Sequence, residues 1–93
     1  MPDDPEARTQ LARLLGNGSL RSASAEELRT LIEARFTLLV DGLLTETLAS
    51  DDVFDRDSAL EFTRQRLEFF ESLIDAGVRT RLLDALREKF EAW

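Results

Sequence analysis

One stretch of the chain, from residue 25 to residue 49, limits the possible folds more than any other feature. Apolar side chains recur along it at helical spacing. Ser24 and Glu27 form the Ser-x-x-Glu pattern of a capping box just ahead of it, which predicts that a helix begins at Ala25. A continuous helix to Ala49 would be about 37 Å long at 1.5 Å per residue. The sequence therefore predicts one long central helix.

The predicted central helix has more apolar surface than a single stripe can hold. Leucine, isoleucine, valine and phenylalanine occupy most of its circumference, and the polar side chains share one stripe: Thr30, Glu33, Thr37, Asp41 and Thr45. Gly42 lowers helix propensity by about 1 kcal/mol relative to Ala, and we interpret it as a close helix crossing, with a local break as the alternative. The apolar excess predicts a cover, which is a second copy of the chain, a different protein or the first helix.

Three further helices are predicted around this one. The first begins at Asp3 or Asp4, and the sequence Gly16-Asn17-Gly18 supplies a left-handed stop. The next has Asp55 or Asp57 as its N-cap and Gly77 as its C′ residue. The last follows almost at once. The predicted bounds are about 4–15, 57–76 and 79–92.

These segments predict an all-α fold for a single domain covering residues 1–93, because no segment alternates with period two. The expected architecture is a small three- to four-helix bundle with one long central helix and a C-terminal antiparallel helical hairpin. The first helix has the narrowest apolar face, which favours its loose attachment to a three-helix core. The side chains expected at the centre of the core are Leu39, Leu43, Leu67, Phe70 and Leu86.

The composition excludes most common chemistries. The chain has no Cys and no His, so it offers no thiolate nucleophile, imidazole base, disulfide or Cys-His zinc site. No phosphate-binding Gly-Lys-Ser/Thr loop is present, and we expect neither an enzyme nor a cofactor. The formal net charge of -7 argues against direct nucleic-acid binding. The acidic start at Asp3, Asp4 and Glu6 and the absence of a membrane-length apolar run predict a cytoplasmic protein.

One acidic loop has the residue types that bind hard cations. It contains Asp51, Asp52, Asp55 and Asp57. A calcium loop starting at Asp55 would need Gly at its sixth position and Glu at its twelfth, where this chain has Leu and Arg. We therefore interpret the loop as helix capping and solvated charge, with a cation site as the alternative.

Five side chains are candidates for partner binding: Arg35, Arg66, Phe62, Phe69 and Trp93. The two arginines lie among apolar neighbours, so their stems are expected to cover apolar surface while their heads reach water or pair with Glu or Asp. The functional alternative is a pair of guanidinium groups that clamps an anionic ligand or a partner's carboxylate. The aromatic residues are expected in the core, except that Trp93 is inexpensive to leave exposed at an interface.

The sequence thus predicts a small acidic protein that binds another protein through an apolar helical face, as an adaptor, regulator or inhibitor. A homodimer is also expected, because a two-fold dimer would cover the apolar excess. One alternative is an acidic nucleic-acid mimic that inhibits a nucleic-acid-binding protein. The other is a small helical enzyme or ligand carrier that uses Arg35 and Arg66 in a pocket between helices.

Overall fold

The computed structural model describes residues 5–16 and 23–92, and all of the regular structure in these ranges is helical. In chain order the helices are α1 (Pro5–Leu14), α2 (Ala25–Ala34), α3 (Phe36–Ala49), α4 (Arg56–Phe69) and α5 (Ala76–Phe90). The predicted all-α class is therefore confirmed. None of the helices in the described ranges is long and apolar enough to cross a membrane. The expected start of the first helix at Asp3 or Asp4 lies outside the described residues.

The predicted long central helix is wrong in one respect, because Arg35 divides it. The backbone of Arg35 has φ -120° and ψ 32°, which are not helical values, so α2 ends before it and α3 begins after it. The side chain of Arg35 donates to the backbone carbonyl of Leu15, 2.6 Å away at the end of α1. No glycine or proline marks this break. The break coincides with the contact between Arg35 and Leu15, which the local pattern of apolar residues does not predict.

The central position belongs to α3, which packs against each of the other four helices. Its Gly42 is a close crossing, as the sequence indicated: a Cβ atom at Gly42 would lie 2.8 Å from Cδ2 of Leu14 on α1. Two α1 side chains, Ala7 and Leu11, are fully buried, and so is Leu15 just beyond the helix. The expectation of a loosely attached first helix is therefore wrong, because small side chains on α1 and the glycine on α3 allow close approach.

The boundary between α4 and α5 also differs from the prediction. Instead of reaching residue 76, α4 ends at Phe69, and Phe70 leaves the helix with φ -95° and ψ 10°. A turn follows, and Asp75 then caps α5 by accepting a 2.8 Å hydrogen bond from the backbone N–H of Val78. Gly77, which was expected to end a helix, lies in the first turn of α5. The N-cap at Asp75 was not predicted, although Asp is a preferred N-cap residue.

Two capping boxes fix the starts of α2 and α4. The Ser24 hydroxyl accepts from the backbone N–H of Glu27, and the Glu27 carboxylate accepts from the backbone N–H of Ser24, both at 3.1 Å. Asp55 and Ser58 form the same reciprocal pair at α4. The predicted cap at Ser24 is confirmed. Of the two N-caps predicted for α4, Asp55 and Asp57, Asp55 is the one observed. These bonds satisfy first-turn amides that would otherwise lack partners.

The core is built as the periodicity predicts. All five side chains expected at its centre are at most 1 % exposed: Leu39, Leu43, Leu67, Phe70 and Leu86. Two buried threonines, Thr47 and Thr63, were not expected there. Each donates its hydroxyl hydrogen bond to the carbonyl four residues earlier in its own helix, so neither hydroxyl is buried without a partner.

Candidate interaction surfaces

The guanidinium group of Arg35 closes the C-terminal end of α1. Its Nη1 atom donates to the carbonyl oxygen of Leu15 at 2.6 Å and to that of Gly16 at 3.4 Å. Gly16 has φ 69°, the left-handed conformation expected of a helix-stopping glycine. A cation at this end is favourable, because the last carbonyls of a helix lack partners and carry partial negative charge. Arg35 therefore has a structural role in joining α1 to the α2–α3 junction.

The guanidinium group of Arg66 joins three helices. Its Nε atom donates to Glu46 Oε1 on α3 at 3.0 Å, and its Nη2 atom donates to Gln10 Oε1 on α1 at 2.7 Å. The same group lies 5.3 Å from the ring centroid of Phe69 and 5.1 Å from that of Phe70. The side chain is only 19 % exposed. Pairing with a carboxylate matches the sequence-based expectation, whereas the contact with Gln10 spans 56 residues and has no local signal.

The two arginines contact different parts of α1 and of the residues that follow it. Arg66 reaches Gln10, and Arg35 reaches the carbonyls that follow the helix. Within the described part of the chain, the hydrogen bonds of the two guanidinium groups have no acceptor in common. The arrangement thus uses both groups for internal packing.

The candidate aromatic residues are placed differently from one another. Phe69 is half-buried and meets Phe70 edge to face, with the ring centroids 5.4 Å apart. Phe62 is also half-buried, and it lines an open cleft of about 240 Å³ together with Asp52, Ser58, Glu61 and Gln65. Trp93 lies outside the described residues. Of the predicted partner-binding side chains, Phe62 is the one that lines this cleft.

Three large apolar side chains in the described ranges are exposed: Leu38 at 47 %, Leu48 at 57 % and Phe54 at 78 %. Sequence analysis did not select any of them as a binding residue. Leu38 and Leu48 lie on α3. The sequence shows that this helix is rich in apolar residues, but it does not show which of its leucines stay exposed once α1 packs against it. Phe54 had a clearer signal, because it lies in a polar loop one residue before a helix cap.

The acidic loop caps α4, and its capping explains its electrostatics. The backbone N–H of Ser58 stabilises the ionised carboxyl of Asp55 and lowers its pKa, and the Ser58 side chain makes a smaller contribution in the same direction. The backbone and side chain of Ser24 lower the pKa of the Glu27 carboxyl at α2 in the same way. Among residues 5–16 and 23–92, no group of three or more acidic side chains is arranged to hold a metal ion.

A second cleft, of about 200 Å³, lies between the first turn of α2 and the start of α5. Its floor includes Ile32, Ile74 and Val78, and Arg29 lies at its rim, 3.8 Å from the carboxylate of Asp75. Neither this cleft nor the one beside Phe62 is lined by Arg35 or Arg66. The two clefts therefore offer no setting for catalysis by that arginine pair.

Comparison of the chain with protein-family models, with curated proteins and with solved structures finds no match in any of the three. The function of the chain is therefore inferred from its own surface.

Proposed function

We propose that the chain is a small interaction module that binds another protein through exposed apolar side chains and acts as an adaptor, regulator or inhibitor. In the architecture that we propose for it, α3 is central and α4 and α5 form an antiparallel hairpin. The observation that carries the proposal is the exposure of Leu38, Leu48 and Phe54 on a small domain whose other large apolar residues are covered in the described ranges. An exposed aromatic side chain such as Phe54 can serve as an anchor at a protein–protein interface, where aromatic residues are enriched.

The test is affinity capture with a matched pair of variants. In the first variant, Leu38, Leu48 and Phe54 are replaced by Ala, which should leave the fold intact because all three are exposed. In the control variant, three exposed polar residues close to these positions in the sequence are replaced by Ala: Thr37, Thr45 and Arg56. We expect proteins that the parent and the control retain and the first variant loses. An identical set of proteins on all three baits would contradict the proposal.

Self-association is the second expectation. It is less well supported than the apolar residues of α2 and α3 would indicate by themselves. Part of that apolar surface is already covered within the chain, because α3 packs against the other four helices and Leu14 of α1 meets it at Gly42. Stable interfaces bury roughly 800 Å² on each partner, which three separate side chains do not supply by themselves. Sedimentation equilibrium at high micromolar concentration tests self-association. A mass of about 21 kDa, twice the 10.6 kDa of one chain, supports a dimer, and the mass of a single chain contradicts it.

Two other functions make different demands on the same surface. A nucleic-acid mimic needs carboxylates and has no use for Phe54, so its binding would weaken steeply with salt and survive Phe54→Ala. An enzyme or ligand carrier built on Arg35 and Arg66 needs their guanidinium groups for a ligand, whereas both donate to groups within the chain. The exposure of Phe54 favours the interaction module over both alternatives.

A further inference from the structure

We propose that the surface around Phe54 binds a basic amphipathic helical segment of a partner protein, with Phe54 as the apolar anchor. This inference rests on the proposed interaction function and adds the place and the partner chemistry. The Phe54 surface consists of Phe54, its sequence neighbours Asp51 and Asp57, and the residues of the adjoining cleft: Asp52, Ser58, Glu61, Phe62 and Gln65.

The geometry joins Phe54 to this cleft. The backbone N–H of Phe54 donates to the Ser58 hydroxyl at 2.9 Å, and Ser58 lines the cleft directly. The Asp55–Ser58 capping box fixes the same backbone, so Phe54 is held beside the cleft even though its ring is 78 % exposed. The half-buried ring of Phe62 supplies an apolar wall. An exposed aromatic side chain on a fixed backbone loses little conformational freedom when it binds.

The size of the cleft favours a side chain of a partner protein over a small molecule. Its volume is about 240 Å³, and pockets that bind small molecules usually enclose roughly 300 to 1,000 Å³. The cleft is also open to solvent on one side of α4. A peptide can place one apolar side chain against Phe54 and Phe62 while the rest of it runs across the surrounding surface.

The charge around the cleft determines which peptide fits. Residues 50–65 contain five acidic residues and two arginines, and one of these, Arg64, pairs with Glu61 at 3.0 Å. In the described part of the chain, the carboxylates of Asp51, Asp52 and Asp57 take part in no ion pair. A partner with lysine or arginine beside its apolar residues would complement both features of the surface.

The same charge disfavours a second copy of the chain at this position. A two-fold interface places the same patch on both sides. The acidic side chains of this surface would then lie close to those of the second copy, and juxtaposed like charges cost binding energy. A basic partner therefore fits the Phe54 surface better than self-association does.

The experiment uses two labelled helical peptides and the full chain. In the first peptide, leucines recur at helical spacing and all other positions are lysine. In the control peptide, glutamate replaces each lysine. Fluorescence anisotropy titrations compare the parent with Phe54→Ala and with the double variant Asp51→Asn/Asp52→Asn. Leu38→Ala and Asp41→Asn are the matched controls, because they change an exposed leucine and an exposed carboxylate on α3, outside the Phe54 surface.

We expect the parent to bind the lysine peptide and not the glutamate peptide. Phe54→Ala should weaken binding by at least about tenfold, the usual effect of removing a central aromatic anchor. The double Asn variant should weaken it by about twofold to fivefold at low salt and less at high salt. Leu38→Ala and Asp41→Asn should bind as the parent does, and thermal melts should show that all of the variants are folded.

Three results would overturn the inference: no preference for the lysine peptide, unchanged binding by Phe54→Ala, or an equal loss of binding with Leu38→Ala. If the peptide results fail while the variant lacking all three exposed apolar side chains still loses captured proteins, the interaction function stands and only the Phe54 surface is wrong. If no captured protein depends on any exposed apolar residue, the proposed function itself fails. A dimer that Phe54→Ala dissociates would show that a second copy occupies the surface.

Discussion

Replacing Gly42 by Ala tests the crossing of α1 over α3, on which the cover of the apolar excess depends. Two effects of opposite sign act at this position. Ala favours an α-helix interior over Gly by about 1 kcal/mol. The added Cβ would lie 2.8 Å from Cδ2 of Leu14, a distance at which one of the two helices or the leucine side chain must move. Such overpacking costs about 1 kcal/mol here, the lower end of its usual range, because the obstructing atom is the end of a half-buried leucine side chain that can turn aside.

The expected net effect of Gly42→Ala on the free energy of unfolding is therefore about zero. In a Leu14→Ala background the obstructing atom is absent, so the same substitution should stabilise the protein by about 1 kcal/mol. The coupling energy in the double-mutant cycle should therefore be about 1 kcal/mol. Urea denaturation of the four proteins, followed by circular dichroism, measures it.

Gly77→Ala is the matched control for this cycle. Its Cβ would lie 3.4 Å from a carboxylate oxygen of Asp75, which is ordinary van der Waals contact, and Gly77 is an exposed helical residue. We expect it to stabilise the protein by about 0.4 to 1 kcal/mol whether or not Leu14 is present. If Gly42→Ala stabilised the protein equally in both backgrounds, α1 would not cross α3 at this glycine and the account of the fold would be refuted.

Three further predictions concern the caps and the core. Ser24→Ala should lower the free energy of unfolding by about 0.5 to 2 kcal/mol, seen as a lower denaturation midpoint, because it removes an acceptor from the first-turn amide of Glu27. Leu67→Ala should cost about 2 to 5 kcal/mol because Leu67 is 1 % exposed, and a variant that melts with the parent would place this side chain outside the core. The pKa of Glu27 lies below its usual 4.5 in the folded chain, so its contribution to stability is present above the unfolded pKa and lost as the pH falls through the folded value. In Glu27→Gln, stability should depend less on pH below about pH 4.5, and an unchanged acid transition would contradict the cap.

The elements of the fold that local chemistry determines could be predicted from the sequence. The capping box at Ser24, the left-handed Gly16 and the buried positions of Leu39 and Leu67 all follow from spacing and residue type. The break at Arg35 could not be predicted in this way. It is accompanied by a hydrogen bond to Leu15, twenty residues away, and neighbouring sequence carries no trace of that partner.

The end of α4 shows a second kind of limit. Asp75 and Gly77 fit two local interpretations, the end of one helix or the start of the next. The hydrogen bond from the Val78 N–H to Asp75 decides for the second. Competition between two acceptable local signals is resolved by packing, which the sequence pattern does not contain.

The candidate surfaces were predictable only in part. The exposure of Phe54 has a sequence signal, since it is an aromatic residue in a polar loop next to a cap. Arg66 was expected to pair with a carboxylate, and the structure pairs it with Glu46. Its bond to Gln10, by contrast, depends on how α1 lies across the other helices. That placement also determines which α3 leucines stay exposed, so both required the structure.

A site-resolved titration tests most directly whether the Phe54 surface binds a basic amphipathic segment. In a two-dimensional ¹H–¹⁵N nuclear magnetic resonance titration of the labelled chain with the lysine–leucine peptide, each backbone amide reports on its own surroundings. We predict that the largest shifts occur between Asp51 and Gln65, with the amides around Leu38 unchanged. Shifts centred on α3 near Leu38, or no shifts with a saturating amount of peptide, would contradict the account.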